Sequence, residues 1–220
     1  VIGFSAERSS AASVDSITAP SDRQTYYGDW DPIRFSFEAS SGGDVSWEVV
    51  SGLPSGVTAT FSSGTTGNLD IERVGRGPDA GDYLITVRAT GSDSSSDTSS
   101  VTLTVLPRPV KIEGSFSVAA KTYGDAEGAT ITTNNLSLEE ATEELVGRGI
   151  IALDSSAMTL NAVAAFDSED AGTQTARLSA STLTGSVDGR DLSGNYDLEL
   201  VAYEGYTPPT ATATISPKSL

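Results

Sequence analysis

Cysteine and histidine are both absent from this chain of 220 residues. Without cysteine there are no disulfides and no thiolate metal ligands, and without histidine the commonest general base and metal ligand is missing. Acyl transfer, which needs a nucleophile paired with a base, therefore lacks its usual residues. No glycine-rich loop precedes a Lys-Ser or Lys-Thr pair either, so the sequence has no phosphate-binding loop. We expect no catalytic site.

Basic residues are few, since 13 Lys and Arg stand against 30 Asp and Glu, a formal net charge of −17. This charge disfavours nucleic acid and anionic membrane surfaces as partners. Weak attraction of calcium to the surface is expected at most, because no segment has the alternate ligands and closing glutamate of a calcium loop. No apolar run is long enough to span a bilayer, so we expect no membrane insertion. We also expect no cofactor. Lacking an initial Met and a signal region, the chain is expected to be an internal part of a longer protein.

Short stretches in which apolar and polar residues alternate occupy most of the first half of the chain, a pattern that predicts half-buried strands. Turn-forming residues separate these stretches, as in an antiparallel β-sandwich of the immunoglobulin-like kind. We predict such a domain over residues 17–107, after a small, polar leader or end of a preceding module at residues 1–16. The predicted strands lie at residues 33–37, 45–50, 57–61, 69–71, 83–89 and 101–105.

Two prolines mark the boundary between this domain and the next. The alternating strand Val101–Val105 is followed by Pro107 and Pro109, which lack a backbone donor and have a fixed φ angle. We therefore expect no sheet ladder to continue through either proline. A new strand pattern starts at Val110, which predicts a short, stiff junction and an elongated pair of tandem domains.

Three residues of the first domain have positions that indicate structural roles. Tyr83 enters the penultimate strand after the turn Pro78–Asp82, the place of the tyrosine corner in immunoglobulin-like domains. We predict that Tyr83 is buried and that its hydroxyl bonds to main chain a few residues upstream, with Asp79 in the turn. The alternative for Asp79 and Asp82 is a metal site. Trp47, in an alternating strand, is predicted to fill the space between the sheets.

Three motifs occur together in the first domain: Ser51-Gly-Leu-Pro-Ser-Gly-Val57, Ala80-Gly-Asp-Tyr83 and the closing Val101-Thr-Leu-Thr-Val105. In combination they resemble the immunoglobulin-like and cadherin-like repeats of large bacterial surface proteins. The resemblance extends over residues 17–106 and implies a sandwich module that is repeated in series.

The second predicted domain, residues 108–220, continues the strand pattern and adds one short helix. Ser137 with Glu140 forms a capping box and Gly147 is placed to end the segment, which predicts a helix at Ser137–Gly147. Its four glutamates form either a solvated face, which we prefer, or a cation site. Strands are predicted at residues 110–112, 130–133, 150–153, 158–165, 175–178, 196–202 and 211–215.

Four motifs follow one another in the second domain: Lys121-Thr-Tyr-Gly-Asp125, Phe166-Asp-Ser-Glu-Asp-Ala-Gly-Thr173, Leu192-Ser-Gly-Asn-Tyr-Asp-Leu198 and Ala211-Thr-Ala-Thr-Ile-Ser-Pro-Lys218. Their order resembles the YDG- and MBG-type repeats of bacterial haemagglutinins and adhesins. The resemblance implies an extracellular location at the cell surface, secreted or associated with the outer membrane, and a structural role for Tyr196. The glutamate-rich segment and Tyr203–Pro209 depart from the family pattern.

The two halves also repeat each other. Tyr27-Gly-Asp29 and Tyr123-Gly-Asp125 lie 96 residues apart, and the last predicted strand of each half is followed by a proline. Such a period is typical of tandem modules of related architecture.

The segment Tyr203–Pro209 is the candidate binding element of the sequence. It is longer than a simple chain reversal requires, and it carries Tyr203 and Tyr206 together with two prolines. Amphipathic rings on a stiff backbone bind a sugar face or a protein at low entropic cost, so these two tyrosines are the predicted ligand-binding residues. The alternative is that both rings fold back over the sandwich edge or pack on a neighbouring module.

Three functional hypotheses follow from these patterns. The first is a non-catalytic spacer or stalk in a bacterial cell-surface adhesin, whose partners are neighbouring modules of the same chain. The second is a module that binds a glycan or a host or cell-surface protein through the Tyr203–Tyr206 loop. The third is an accessory region of a secreted polysaccharide-degrading enzyme.

Overall fold

The computed structural model of the chain describes residues 11–29, 32–125, 128–142 and 146–219. The chain is nearly all β and divides into two compact units, Val1–Leu106 and Pro107–Leu220. Each unit is a β-sandwich with an apolar core of its own. None of the described segments is a helix long and apolar enough to cross a bilayer.

Within its described residues, the first unit has eight strands in two four-stranded sheets. The strands are β1 Val14–Thr18, β2 Arg23–Tyr26, β3 Ile33–Ser41, β4 Ser46–Ser51, β5 Val57–Phe61, β6 Thr66–Arg73, β7 Gly81–Thr90 and β8 Ser96–Leu106. One sheet has the order β1-β3-β6-β5 and the other β2-β8-β7-β4. All neighbours are antiparallel except β2 and β8, which run parallel.

The core of the first unit lies between these sheets, because every second residue of their strands points inward. The buried residues on the inner faces include Phe35, Phe37, Leu69, Ile71, Ile85, Val87, Leu103 and Val105. All six strands predicted for this unit are confirmed, most of them with greater length.

The first strand lies partly inside the predicted leader, residues 1–16. β1 begins at Val14 and pairs with β3, so the prediction is wrong for Val14–Ser16, while residues 1–10 lie outside the described residues. The register of the pairing shifts between Val14 and Ser16. A shift of this kind interrupts the alternation of side chains by which a strand is recognised in a sequence.

The described part of the second unit has mostly shorter strands, in three small sheets. They are β9 Arg108–Val118, β10 Lys121–Thr122, β11 Ile131–Leu138, β12 Met158–Asn161, β13 Ala164–Phe166, β14 Gly172–Leu178, β15 Thr182–Val187, β16 Arg190–Asp191, β17 Tyr196–Glu199 and β18 Thr210–Ser216. The sheet orders are β10-β18-β14-β13, β11-β9-β17 and β12-β15-β16. The pairs β10–β18 and β9–β17 are parallel. Ile112, Phe116, Ala176 and Leu178 are at the centre of the core.

The predicted helix at Ser137–Gly147 is wrong in its described part. Ser137 and Leu138 belong to β11, and Glu140 forms an isolated bridge with Ile150, while residues 143–145 lie outside the described residues. Pairing with β9 holds this segment extended up to the bond from the Glu139 N–H to Lys111. Pairing with β9 thus overrides the local helix signal, because helix propensity contributes little free energy per residue compared with tertiary contacts.

Two other predicted strands also differ from the observed ones. Residues 150–153 contain only the bridge at Ile150, followed by turns, and residues 158–165 divide into β12 and β13. The chain passes from one sheet to another at Val163, whose N–H donates to the Ser181 hydroxyl at 2.9 Å. β15 is missed by sequence reasoning because Leu183 is its one buried residue.

Pro107 alone separates β8 from β9, because β9 begins at Arg108 and includes Pro109. The prediction that no ladder continues through Pro109 is therefore wrong. Pro109 lies opposite Asp197 of β17, and its carbonyl accepts a 2.9 Å hydrogen bond from the Gly149 N–H. The N–H side of a residue points the same way as its carbonyl, so the missing donor of Pro109 faces away from β17.

Candidate functional site

The segment predicted to bind a ligand is a tight hairpin between β17 and β18. Tyr203 and Tyr206 exchange two main-chain hydrogen bonds of 3.0 Å across the two-residue turn Glu204-Gly205. Gly205 has a φ of +83°, a conformation that glycine adopts without steric cost. The ring centroids of the two tyrosines are 5.5 Å apart. The structure thus brings the two predicted residues together in one rigid turn.

Tyr206 attaches this hairpin to β9. Its hydroxyl oxygen accepts a 2.9 Å hydrogen bond from the Ile112 N–H, and its proton has two main-chain acceptors, the Ile112 carbonyl at 3.1 Å and the Glu199 carbonyl at 3.3 Å. Burial raises the pKa of the Tyr206 phenol, with the Ile112 bond acting in the opposite direction. Both hydrogen-bonding functions of this hydroxyl are therefore engaged by main chain.

Tyr203 is the more exposed member of the pair, with 44% of its surface accessible. Its hydroxyl donates to Glu199 Oε2 at 2.7 Å and accepts from Arg148 Nη2 at 3.2 Å. The Lys111 ammonium lies 5.6 Å from its ring centroid and 5.1 Å from that of Tyr206, within range for cation–π attraction. The ring of Tyr203 is therefore held in place by protein groups on several sides.

Charged side chains surround the hairpin. Arg148 Nε donates to Glu139 Oε2 at 3.0 Å, and Arg148 Nη2 lies 3.4 Å from Glu199 Oε2. Glu139 is buried, so this ion pair is screened less by water than an exposed one. Arg148 and Lys111 are two cations, whereas Glu139, Glu199 and the exposed Glu204 of the turn are three carboxylates. The cluster consequently has no excess positive charge with which to attract an anionic ligand.

A second polar cluster in this unit was not predicted except for Tyr196. Tyr196 is buried, its hydroxyl donates to Asp154 Oδ2 at 2.8 Å, and it accepts from the Ile151 N–H at 3.3 Å. Asp154 is fully buried. Arg108 is 1% exposed and donates from Nε to the Gly149 carbonyl at 3.0 Å. The sequence gives no sign that the arginine between two prolines is a core residue.

In the first unit, Tyr83 and Asp79 lie together. The hydroxyl of Tyr83 donates to the Asp79 carbonyl at 2.8 Å, four residues upstream, and the ring is partly rather than fully buried. The alternative metal site finds no support in the contacts of Asp82, whose carboxylate accepts a 2.6 Å hydrogen bond from the Thr104 hydroxyl across the sheet. No three acidic residues in the described ranges are grouped so as to hold a metal ion.

Trp47 of the same unit is partly buried among aromatic rings. Its ring centroid lies 6.1 Å from that of Phe37 and 6.0 Å from that of Phe61, and its Nε1–H donates to the Gly64 carbonyl at 2.9 Å. A Cβ on Gly67 would stand only 2.4 Å from the indole. Trp47 therefore packs face-on against bare backbone and is not open as a stacking platform.

The Tyr-Gly-Asp repeat has a similar structural position in both units. In the first unit, the Tyr27 N–H donates to the carbonyl of Leu106, the last residue of β8, at 2.8 Å. The turn then closes with a 3.0 Å bond from the Asp29 N–H to the Tyr26 carbonyl, and Gly28 has a φ of +74°. The motif thus ends β2, the strand that runs parallel to β8.

The second unit repeats this arrangement. The Tyr123 N–H donates to the carbonyl of Ser216, the last residue of β18, at 2.8 Å. The Asp125 N–H then bonds to the Thr122 carbonyl at 3.0 Å, and Gly124 has a φ of +86°. In each unit, an early strand is therefore joined in parallel to the final strand.

Comparison with known proteins gives similarity of fold only. No family model and no curated protein matches the chain. An I-band fragment of titin is 13% identical, with a TM-score of 0.34, over 95% of this chain and 66% of that one. The protocadherin GammaB4 extracellular domain is 15% identical, with a TM-score of 0.35, over 92% of this chain and 32% of that one. Domains 5–6 of the S-layer protein SbsC are 13% identical, with a TM-score of 0.30, over 94% of this chain and 100% of that one.

The chain spans just under two thirds of the titin fragment and about a third of the protocadherin chain. The assignment of two tandem sandwiches rests on the strand pairing of the chain itself. The resemblance of the second unit to YDG- and MBG-type repeats stays a prediction.

Proposed function

We propose that this chain is a pair of non-catalytic modules that serve as a load-bearing spacer in an extracellular cell-surface protein. The motifs that resemble bacterial repeats favour an adhesin as that protein. The partners are neighbouring modules of the same chain, and the role needs no cofactor. The net charge of −17 attracts calcium to the surface only weakly. The observation that carries the proposal is the parallel pairing of an early strand with the last strand in both units.

Parallel end strands resist tension because of their direction. When the beginning and the end of the first unit are pulled apart, the force reaches β2 once β1 has separated from β3, and β2 and β8 are then drawn in opposite directions along their own axes. The hydrogen bonds between them are then loaded together, in shear. In an antiparallel end pair, the same force would open the bonds one after another from one end. The β2–β8 pair of the first unit has the arrangement that holds longer under load, and the β10–β18 pair of the second unit repeats it over two residue pairs.

Single-molecule force spectroscopy on the whole chain tests this role. We expect two unfolding events, each releasing at most about 400 Å, since roughly 110 residues extend by at most about 3.6 Å each. The bond from Tyr27 to Leu106 places alternate donors of β2 toward β8, so the Thr25 N–H points to β8 and the Gln24 N–H away from it.

Two matched proline variants use this alternation. Thr25→Pro removes a donor from the parallel ladder and should lower the unfolding force of one event. Gln24→Pro introduces the same residue one position away, where no ladder bond is lost, and should leave that force nearly unchanged. The event from the second unit is an internal control in both variants. Equal forces for both variants would contradict the load-bearing role of the β2–β8 pair.

Ligand binding through Tyr203 is the second candidate, and the exposure of its side chain favours it. A sugar would have to displace Lys111 from the Tyr203 ring, or stack on the part of that ring that Tyr206 does not cover. Glycan-array and cell-adhesion assays on the wild type and on Tyr203→Ala test this candidate. Loss of a signal in the variant would support binding. Equal signals from both proteins would contradict it and would not affect the spacer role.

A further inference from the structure

A groove in the second unit lies between two strand edges. β11 is the end strand of the sheet β11-β9-β17, and β12 is the end strand of the sheet β12-β15-β16. No strand of the described chain pairs with the outer edge of either. The cavity between them has a volume of about 340 Å³ and is lined by residues of both strands. Unpaired edges of this kind are templates for another strand.

Both apolar and polar side chains line the groove. The apolar ones are Leu136 and Leu138 of β11, Met158 and Leu160 of β12, and Ile150. Met158 and Ile150 are buried, whereas the other three side chains are partly accessible. An extended peptide places every second side chain on one face, so a segment with apolar residues at alternate positions can pack against these five side chains.

The free edge of β11 offers main-chain hydrogen bonds. The Glu139 N–H bonds to Lys111 of β9, so the alternate residues Asn134, Leu136 and Leu138 direct their N–H and carbonyl groups away from β9. The Leu136 N–H is occupied by the side chain of its neighbour, since it donates to Asn134 Oδ1 at 3.1 Å. A side chain that moves away would release this donor to an incoming strand.

Charge indicates what kind of strand enters. Glu140 is the charged residue of the lining, it is exposed, and no Lys or Arg accompanies it there. A second copy of this chain would bring a further net charge of −17 and would be repelled. A segment with a lysine or arginine beside Glu140 is attracted instead.

From these contacts we propose that the groove binds an extended, basic segment of another protein by strand addition to the edge of β11. Apolar side chains at alternate positions of that segment enter the groove, and one Lys or Arg pairs with Glu140. The edge from Asn134 to Leu138 has room for a partner strand of about 17 Å, or roughly five residues. Main-chain bonds provide affinity and the apolar side chains of the lining provide specificity, as in other complexes formed by strand addition. This site is independent of the spacer role.

The test uses the whole chain, labelled with ¹⁵N, and the synthetic peptide Lys-Thr-Val-Thr-Val-Thr-Lys, in which both Lys share one face of the extended peptide with both Val. We expect saturable shifts of the amide signals of Asn134, Leu136, Leu138 and Leu160. A peptide with Glu in place of both Lys, and one with Pro in place of the central Thr, should cause no such shifts at about 1 mM. Absence of shifts with the first peptide, or equal shifts with all three, would overturn the proposal.

Two variants connect binding to the groove. Glu140→Lys should weaken binding of the basic peptide by about tenfold, whereas Glu169→Lys, the same change at an exposed loop residue, should alter it little. Asn134→Ala removes the competing acceptor of the Leu136 N–H and should tighten binding. Equal affinities for the two lysine variants, or weaker binding by Asn134→Ala, would contradict strand addition here. Shifts that depend on protein concentration without peptide would assign the groove to a second copy and overturn the proposal as well.

Discussion

The main-chain N–H of Tyr123 donates to the carbonyl of Ser216 at 2.8 Å, as that of Tyr27 donates to Leu106 in the other unit. The rings of the two tyrosines do not share an environment, since Tyr27 is fully buried and Tyr123 is 50% exposed. What the two units have in common is therefore the turn and its main-chain bond. This bond fixes the end of a short strand to the end of the last strand, where a force along the chain would be applied.

Backbone conformation explains the glycine of this turn and gives the first prediction. Gly124 has a φ of +86°, and outside its two neighbours no heavy atom lies within 4 Å of the place of a Cβ. Gly124→Ala should therefore lower the free energy of unfolding of the second unit by about 1 kcal/mol through strain alone. Urea denaturation measures this loss. Gly194→Ala, in the same unit and equally open but without a positive φ, is the control, and equal losses would contradict the strain.

A second prediction concerns the hydroxyl of Tyr83. Its 2.8 Å bond to the Asp79 carbonyl joins the start of β7 to the preceding turn. Tyr83→Phe should lower the stability of the first unit by about 1–2 kcal/mol, because a partly buried acceptor loses a donor. Tyr26→Phe removes a hydroxyl that has no hydrogen bond within the described residues and should have little effect. An unchanged melting temperature for Tyr83→Phe would contradict a tyrosine corner.

The first unit was largely predictable from sequence because its strands bury alternate large residues. β3 reads Ile33-Arg-Phe-Ser-Phe37, and Phe35 and Phe37 are both fully buried. β8 shows the same pattern from Val101 to Val105. Where both the pattern and the burial have a period of two residues, a strand can be located from sequence alone.

The second unit was predicted less well, because its strands are short and its local signals conflict with its pairing. The capping pattern at Ser137 and Glu140 describes a helix, yet β9 holds Ser137 in a strand. Register with β9 depends on residues far away in the chain, and no local pattern reports it. The same applies to the hairpin: sequence identified Tyr203 and Tyr206, but Lys111 and Arg148, which hold the rings, come from distant segments.

The third prediction concerns Tyr206, whose hydroxyl bonds to the main chain of Ile112. Tyr206→Phe should cost about 1–2 kcal/mol at neutral pH. Burial raises the pKa of Tyr206, so the folded chain keeps this proton where an unfolded tyrosine, with a pKa of about 10, has lost it. The stabilisation by the hydroxyl is therefore complete below about pH 10 and falls as pH rises toward the folded pKa. Denaturation of both proteins at several pH values should show the difference shrinking above about pH 10, and a widening difference would contradict it.

Arg108 is the subject of the last prediction, since a buried guanidinium next to a domain boundary is costly unless its donors are used. Its Nε donates to the Gly149 carbonyl at 3.0 Å and its Nη2 to the Arg148 carbonyl at 2.6 Å. These bonds hold the segment after Gly147 against β9, beside the residues that support the tyrosine hairpin. Arg108→Met retains the length of the side chain but leaves both carbonyls without this donor, so we expect a loss of about 3 kcal/mol in the second unit.

Two further variants distinguish this role from a general effect of losing an arginine. Arg108→Lys retains the charge but lacks the fork of donors that reaches both carbonyls, so it should be less stable than the wild type and more stable than Arg108→Met. Arg34 is also bonded, to Asp70 at 2.6 Å, but its side chain is 62% exposed, and Arg34→Met should change stability far less because water screens the pair. Urea denaturation of the three variants measures these differences. Similar losses for Arg34→Met and Arg108→Met would mean that the buried donors of Arg108 do not hold this segment in place.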